Sequence, residues 1–298
     1  MLTPEQQQQY KASLKHPDVE ETIDLWFYRP VGFRLALWAQ RMRLTPNQVT
    51  ILGIFLGIGS GLLLYPESLW LNLLGLMLLV SADVCDSADG LLARLTHQYS
   101  QLGRILDGVA SDFWFISIYV CLCLRLMPEW GIWCWLLAIS AGACHAQQSA
   151  MADIYRQFHL LCVNGRSGSE LEDGAAVSAQ YRQLSFRDAP LLKVFLWFYR
   201  NYTLGQERLT PQLQRLRKLD YDPQALRPLT RPLMPIANVL TYNWRAIALS
   251  LAVIAGHPWL YWVAELTLFN VLAIFMVLRH ESICRKAIRQ LSSKTAEV

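Results

Sequence analysis

Charge is scarce in this chain: Asp, Glu, Lys and Arg make up 17% of its 298 residues against 53% for apolar types, which excludes an ordinary soluble domain of this length. The opening stretch, MLTPEQQQQYKASLKHPDVEE, lacks an apolar core, so no cleavable signal peptide is expected and the first apolar segment is expected to stay in the mature protein. None of the cysteines at 85, 121, 123, 134, 144, 162 and 284 forms a CxxC pair. They read as small apolar packing residues rather than metal ligands or disulfides. Internal repeats and low-complexity tracts are absent too. The formal net charge of only +4 fits contact with anionic lipid and argues against a nucleic-acid partner.

What is present in quantity is apolar sequence in long runs. Segments of roughly 20 residues, enough to span hydrocarbon, lie near 48–66, 69–92, 103–126, 130–151, 235–256 and 259–282. The expected fold is therefore an all-α integral membrane protein of six transmembrane helices. Lys and Arg are missing from the turns YPES, MPEWG and GHPW but crowd the opposite loops, which places both termini in the cytoplasm. Residues 20–44 mix aromatics, leucines and arginines at helical spacing and suit an interfacial helix, after which TPNQVT suits the capped start of helix one. The chain divides into a cytoplasmic N-terminus with that helix (1–47), four spans (48–151), a large cytoplasmic insertion (152–234), and two spans with a tail (235–298). Within the insertion, 163–183 is expected as loop and 189–219 as two amphipathic helices resting on the membrane or on other spans.

Aspartates 83, 86, 89, 107 and 112 sit at the end of the second span and the start of the third. Ionisable groups at bilayer depth are costly and usually line a functional cavity. Asp86 and Asp89 are neighbours about 60° apart round a helix. Asp107, early in the next helix, can bring a third carboxylate to the same point. Converging hard oxygen ligands suit Mg²⁺ or Mn²⁺. Gly90 and Gly103 leave the backbone bare for a large ligand, and Arg94 can grip two phosphate oxygens. Together these describe a diphosphate site, with a cation pathway or a structural ion-pair network, using Arg94 and Arg104, as the other readings.

The string Asp86-x2-Asp89-Gly90-x2-Ala93-Arg94-x8-Gly103-x3-Asp107 resembles the signature of the CDP-alcohol phosphotransferases. That resemblance implies an enzyme of phospholipid synthesis that displaces CMP from a CDP-linked donor and joins the phosphoryl group to an acceptor hydroxyl. It implies a two-metal site for Mg²⁺ or Mn²⁺ ligated by Asp86, Asp89, Asp107 and Asp112. By the same resemblance Gly90, Arg94, Gly103 and Ser100 hold the CDP moiety, and Asn47, Gln48, Val49 and Thr50 approach the donor. A homodimer in the inner membrane, its active site facing the cytoplasm, is likewise implied. One departure stands out: the family's fourth aspartate falls on Ser111, with Asp112 next to it. A one-residue π-bulge in helix three would turn Asp112 into place as the base beside Asp107. Asp83 is the alternative base, and a degenerate member that only binds nucleotide is the alternative function. CDP-diacylglycerol with a soluble alcohol is the favoured pairing, and CDP-choline or CDP-ethanolamine with a lipid alcohol the other.

Weaker signals remain. His145, Gln148, Ala152, Tyr155 and Arg156 form a polar stripe that either lines the acceptor pocket or makes interhelical hydrogen bonds, and Asn238, Asn243 and Arg245 share that ambiguity. Glu265 and Arg125 are expected to pair with each other, and Arg215, Arg217 and Lys218 to touch lipid headgroups.

Overall fold

Thr45 starts the first long helix. Its Oγ1 accepts from the Gln48 N–H at 3.4 Å, while Gln48 Oε1 accepts from the Thr45 N–H at 2.9 Å. With Pro46 in the first helical position, the capping box satisfies two donors that a helix start would otherwise leave orphaned. The computed structural model describes residues 3–14, 16–98, 101–165, 171, 173–187 and 189–296, without the side chains of 101, 102, 104, 105, 107, 108, 191 and 294–296. Among the described residues there is no strand. In chain order the helices are α1 (Pro4–Ser13), α2 (Arg29–Arg41), α3 (Pro46–Leu64), α4 (Leu69–Thr96), α5 (Gln101–Trp130), α6 (Trp133–Asn164), α7 (Gly174–Gln183), α8 (Pro190–Leu209), α9 (Pro211–Arg217), α10 (Arg227–Thr230), α11 (Met234–Val239), α12 (Tyr242–Ile254), α13 (Trp259–Ala264) and α14 (Asn270–Ala296). π-Helical turns lie at Asp24–Tyr28 and Glu265–Phe269.

Among the described residues, four helical stretches are long and apolar enough to cross a membrane: Pro46–Leu64, Leu69–Thr96, Val109–Trp130 and Trp259–Ser293. Their outer faces carry bare apolar side chains, Phe55 (68% exposed) and Met77 (65%) among them, as lipid contact requires. Of the other two expected spans, α6 is long but polar along one stripe. Helix α12, at 13 residues, reaches about 20 Å, short of a ≈ 30 Å hydrocarbon core.

The described chain forms two compact units. The first holds Met1–Gly142 and Tyr242–Ala264. Within it α3 packs on both α4 and α5, and α2 lies across α4. Close approach rests on glycine: a Cβ on Gly57 would stand 2.0 Å from Trp114 Cδ1, and one on Gly61 2.3 Å from Ser117 Oγ, so α5 meets α3 backbone to side chain. Phe33, Ala36 and Ala39 of α2 bury against Cys85, Ala88, Leu91 and Leu92 of α4, fixing the motif helix from its outer side. Arg125, expected as the partner of Glu265, lies against the end of α3. Its Nη1 donates to the Leu64 carbonyl at 3.2 Å, satisfying the end of α3, and Asn72, with its amide turned so that Nδ2 donates to Leu63 and Pro66, accepts from Arg125 too.

The second unit holds Ala143–Thr241 and Glu265–Val298. Residues 174–183, expected as loop, form α7. Asp173 caps it through the Ala175 N–H, and Glu207 of α8 accepts from the Gly174 N–H at 2.9 Å. A local propensity argument could not include that carboxylate, which arrives from 33 residues away. Helix α9 docks on α14, where Glu281 accepts from the Gln212 and Leu213 N–H groups at 2.8 and 3.3 Å. The 152–234 stretch is thus tied to the last helix rather than free-standing. Glu265, fully buried in the π-turn, has its oxygen 3.3 Å from His145 Nδ1, and Gln148 Nε2 donates to the Glu265 carbonyl and to Asn270 Oδ1, both at 2.9 Å. The polar stripe of α6 is here an interhelical network.

Candidate active site

The second half of α4 presents Asp83, Asp86, Asp89, Gly90 and Arg94 within three turns. Asp89 is buried, at 3% exposure, and so is Thr50 in the first turns of α3. Thr50 Oγ1 donates to Asp89 Oδ2 at 2.5 Å, and it also lies 3.1 Å from the Pro46 carbonyl oxygen. A hydroxyl on a carboxylate is a strong, short hydrogen bond. It holds one carboxylate oxygen in a fixed place. Residue 50 reaches residue 89 because Val49 is locked into the α2–α4 core and the capping box sets where α3 begins. Of the rest of that segment, Asn47 is half-buried, and the exposed Gln48 spends its amide oxygen on the cap.

Gly90 is a different kind of glycine from Gly57. A Cβ there would meet only Arg94 Nη2, at an ordinary 3.7 Å. The protein's own packing therefore tolerates alanine at 90. The bare surface is of use to something outside the chain, and the Arg94 guanidinium folds back along the helix to lie over it. Arg94 also lines, with Leu95, His97 and Gln9, Ala12 and Ser13 of α1, an open depression of about 210 Å³. Helix α1 at this site was missed in the sequence, although Thr3-Pro4-Glu5-Gln6 carries the capping-box signal that marks its start.

Asp86 and Asp89 offer hard carboxylate oxygens one turn apart, one of them oriented by Thr50, and neighbouring Cys85 turns its sulfur into the apolar core. That donor chemistry fits Mg²⁺ or Mn²⁺. Among the described residues no three His, Cys, Asp or Glu side chains come together as a ligand set. The Asp107 side chain and the whole of Ser100 lie outside the described residues, and Gly103 is helical and half-buried. Helix α5 is α-helical throughout 101–130, without the π-bulge that would have turned Asp112 into place. On a regular helix residue 112 stands about 140° from 107 and residue 111 about 40°. Asp112 is accordingly exposed, while Ser111 is half-buried. Among the described residues, π-turns fall elsewhere, at 24–28 and 265–269.

Beside Asp86 lies a second acidic group that sequence reading did not assemble. Asp83 feels the charges of Asp86, Asp24 and Glu21. Asn243 Nδ2 donates to Glu21 Oε2 at 3.0 Å and to Asp24 Oδ1 at 2.8 Å. The Tyr28 hydroxyl is hydrogen-bonded to Asp83, and burial, then the charge of Asp83, hold that phenol above its usual range. A contact across 222 residues leaves no trace in local pattern.

This helix pair lies within the part of the chain that is similar to known proteins. Residues 43–154 match the family model for CDP-alcohol phosphatidyltransferase. Over 104 residues the chain is 34% identical to the bifunctional IPC transferase and DIPP synthase of Aquifex aeolicus (strain VF5), a match covering 34% of this chain and 23% of that protein. The chain thus spans under a quarter of that relative's length. The region that resembles the CDP-alcohol phosphatidyltransferase family model takes in the capped start of α3, all of α4 with its aspartates, and α5.

Proposed function

We propose that this protein transfers a phosphoalcohol group from a CDP-linked alcohol to an acceptor hydroxyl with release of CMP, and that CDP-diacylglycerol is the donor and a soluble alcohol the acceptor. The observation that carries this reading is the face of α4 on which a Thr50-oriented Asp89 stands beside a sterically unneeded Gly90 and an arginine folded over it. A cation pathway has no use for that arginine. A pyrophosphate needs it.

In this reading Asp86, Asp89 and Asp107 hold the divalent ions, which when bound neutralise the pyrophosphate and the departing CMP. Thr50 fixes the direction of Asp89. Gly90 lets the donor reach the backbone, and Arg94 draws charge from its phosphate oxygens. The acceptor oxygen attacks the phosphorus bearing the alcohol as the pyrophosphate P–O bond breaks, and CMP leaves with that electron pair. The hydroxyl proton passes to a carboxylate, for which Asp112 on α5 and Asp83 on α4 are the candidates.

The membrane topology proposed is six spans, with α6 and α12 completing the four strongly apolar helices, and with the active site at the cytoplasmic face of an inner membrane. The test is CMP release by purified protein in detergent with Mg²⁺ or Mn²⁺. Release from CDP-diacylglycerol with one alcohol, abolished by chelator, supports the reading. Within an active enzyme, Asp112→Asn and Asp83→Asn identify the base: the true base loses turnover while CMP binding is kept.

A further inference from the structure

Helix α8 is built inside out. Toward α6 it turns polar groups: Gln206 Nε2 donates to the Ala150 carbonyl at 2.8 Å, the Tyr202 hydroxyl donates to Asp153 Oδ2 at 3.1 Å, and Thr203 is buried together with Leu196. Its exposed face carries Val194, Trp197 (46% exposed), Phe198 (58%) and Leu209, which fall within about 120° of one another round the helix. Asn201 and Arg208 share that face, and Asn201 donates back to the Trp197 carbonyl at 2.9 Å. A surface helix in water is arranged the other way, with its apolar stripe on the protein and its polar face outward. Polar groups inside and aromatics outside suit a helix whose outer solvent is lipid.

An anchor inside the second unit sets the depth of this face. Helix α8 leads through Thr210 into α9, whose Gln212 and Leu213 N–H groups are held by Glu281 of α14. Along α14 the exposed apolar residues are Val271, Ile274, Phe275 and Leu278, and the exposed Arg279 follows at once. Glu281 therefore stands where the apolar run gives way to charge, which is the level of lipid headgroups. Charge then selects the lipid. Residues 174–218 hold eight Lys or Arg against two acids, a net of +6 where the whole chain carries +4. Lys193 and Arg200 lie one turn before and one turn after Trp197, so they flank the aromatic face along one edge. Arg208 and, on α9, Arg215 and Lys218 are exposed, and long basic side chains so placed reach headgroup phosphate. A second copy of the same face would set these cations against themselves, which opposes a symmetric contact.

We propose that the exposed face of α8 docks on the surface of an anionic lipid leaflet, with Trp197 and Phe198 among the acyl chains and Arg208, Arg215 and Lys218 on headgroup phosphates. The surface lies outside residues 43–154, and the inference stands apart from the transferase reading, since it concerns only the part of the chain between α6 and α10.

The experiment places a nitroxide spin label on the full-length protein at Phe198→Cys and, separately, at Val194→Cys. The protein's own cysteines are buried or half-buried, and unsubstituted protein sets the label background. Each labelled protein is put into nanodiscs of phosphatidylcholine alone, or of phosphatidylcholine mixed with phosphatidylglycerol, and relaxation by oxygen is compared with relaxation by a water-soluble nickel chelate. In the anionic discs both labels are expected to be relaxed by oxygen and shielded from nickel. The ratio of immersed to free label is expected to be lower in phosphatidylcholine alone. In the anionic discs it is expected to fall about fivefold for each cation removed in the series Arg208→Gln, Arg215→Gln and Lys218→Gln. Labels relaxed by nickel in both lipids would show a face in water and overturn the inference. Labels shielded from both agents would show a face covered by protein, a second copy included, and overturn it equally. Equal immersion in the two lipids, or a ratio that the three substitutions leave unchanged, would overturn the assignment to anionic lipid.

Discussion

Replacing Thr50 by valine removes one hydroxyl and keeps the side-chain shape, at a position 3% exposed. The lost contact is a 2.5 Å hydroxyl-to-carboxylate hydrogen bond on Asp89, which is equally buried. Hydrogen bonds to charged groups contribute about 1.5–3 kcal/mol. If Asp89 is a metal ligand, taking about 2 kcal/mol from its orientation weakens metal binding roughly 30-fold, inside the 10–100-fold range typical of lost outer-shell partners. The assay is CMP release titrated with Mn²⁺ or Mg²⁺. Thr50→Val is expected to shift half-saturation upward by that factor, with much of kcat recovered at saturating metal, and Thr50→Ser to return most of the affinity. An unshifted titration, or a serine variant no better than valine, would refute the role given to this hydrogen bond.

Other substitutions separate packing from function. Gly57→Ala places a methyl 2.0 Å from Trp114 and is expected to destabilise the fold by about 1–3 kcal/mol, read as a lower denaturation midpoint in detergent. Gly90→Ala meets nothing closer than 3.7 Å, so stability should hold or rise by up to about 1 kcal/mol, as alanine favours a helix, while the KM for the CDP donor rises. His97 closes α4 in the left-handed region at φ 53°, and His97→Gly is expected to add about 1 kcal/mol of stability by relieving Cβ strain. A loss of stability there would show that the imidazole makes a contact worth more than the strain.

The motif on α4 was legible because its spacing is helical and its surroundings apolar: carboxylates at 86 and 89 must share a face, and in a greasy helix that face must be polar for a reason. Thr45-Pro46 was legible as a helix start for similarly local reasons. Lateral partners were not. Depth along a span said only that Glu265 and Arg125 lie at similar levels, not that Arg125 donates to the Leu64 carbonyl or that Glu265 faces His145. The expected bulge near Asp112 came from the demand that a missing aspartate be replaced. The backbone instead continues as α-helix, leaving Ser111 half-buried and Asp112 exposed. Asn243, Glu21 and Asp24 come together only through the path of the whole chain. No periodicity reports that.

The central claim is most directly tested by metal-dependent CMP release from CDP-diacylglycerol, using purified protein and a panel of alcohols. The account predicts CMP in stoichiometric amounts with a new phospholipid for at least one alcohol, none in chelator, and none from an Asp89→Asn variant that remains folded. CMP release that persists in the Asp89→Asn variant, or its absence with every donor and acceptor in metal-replete conditions, would contradict it.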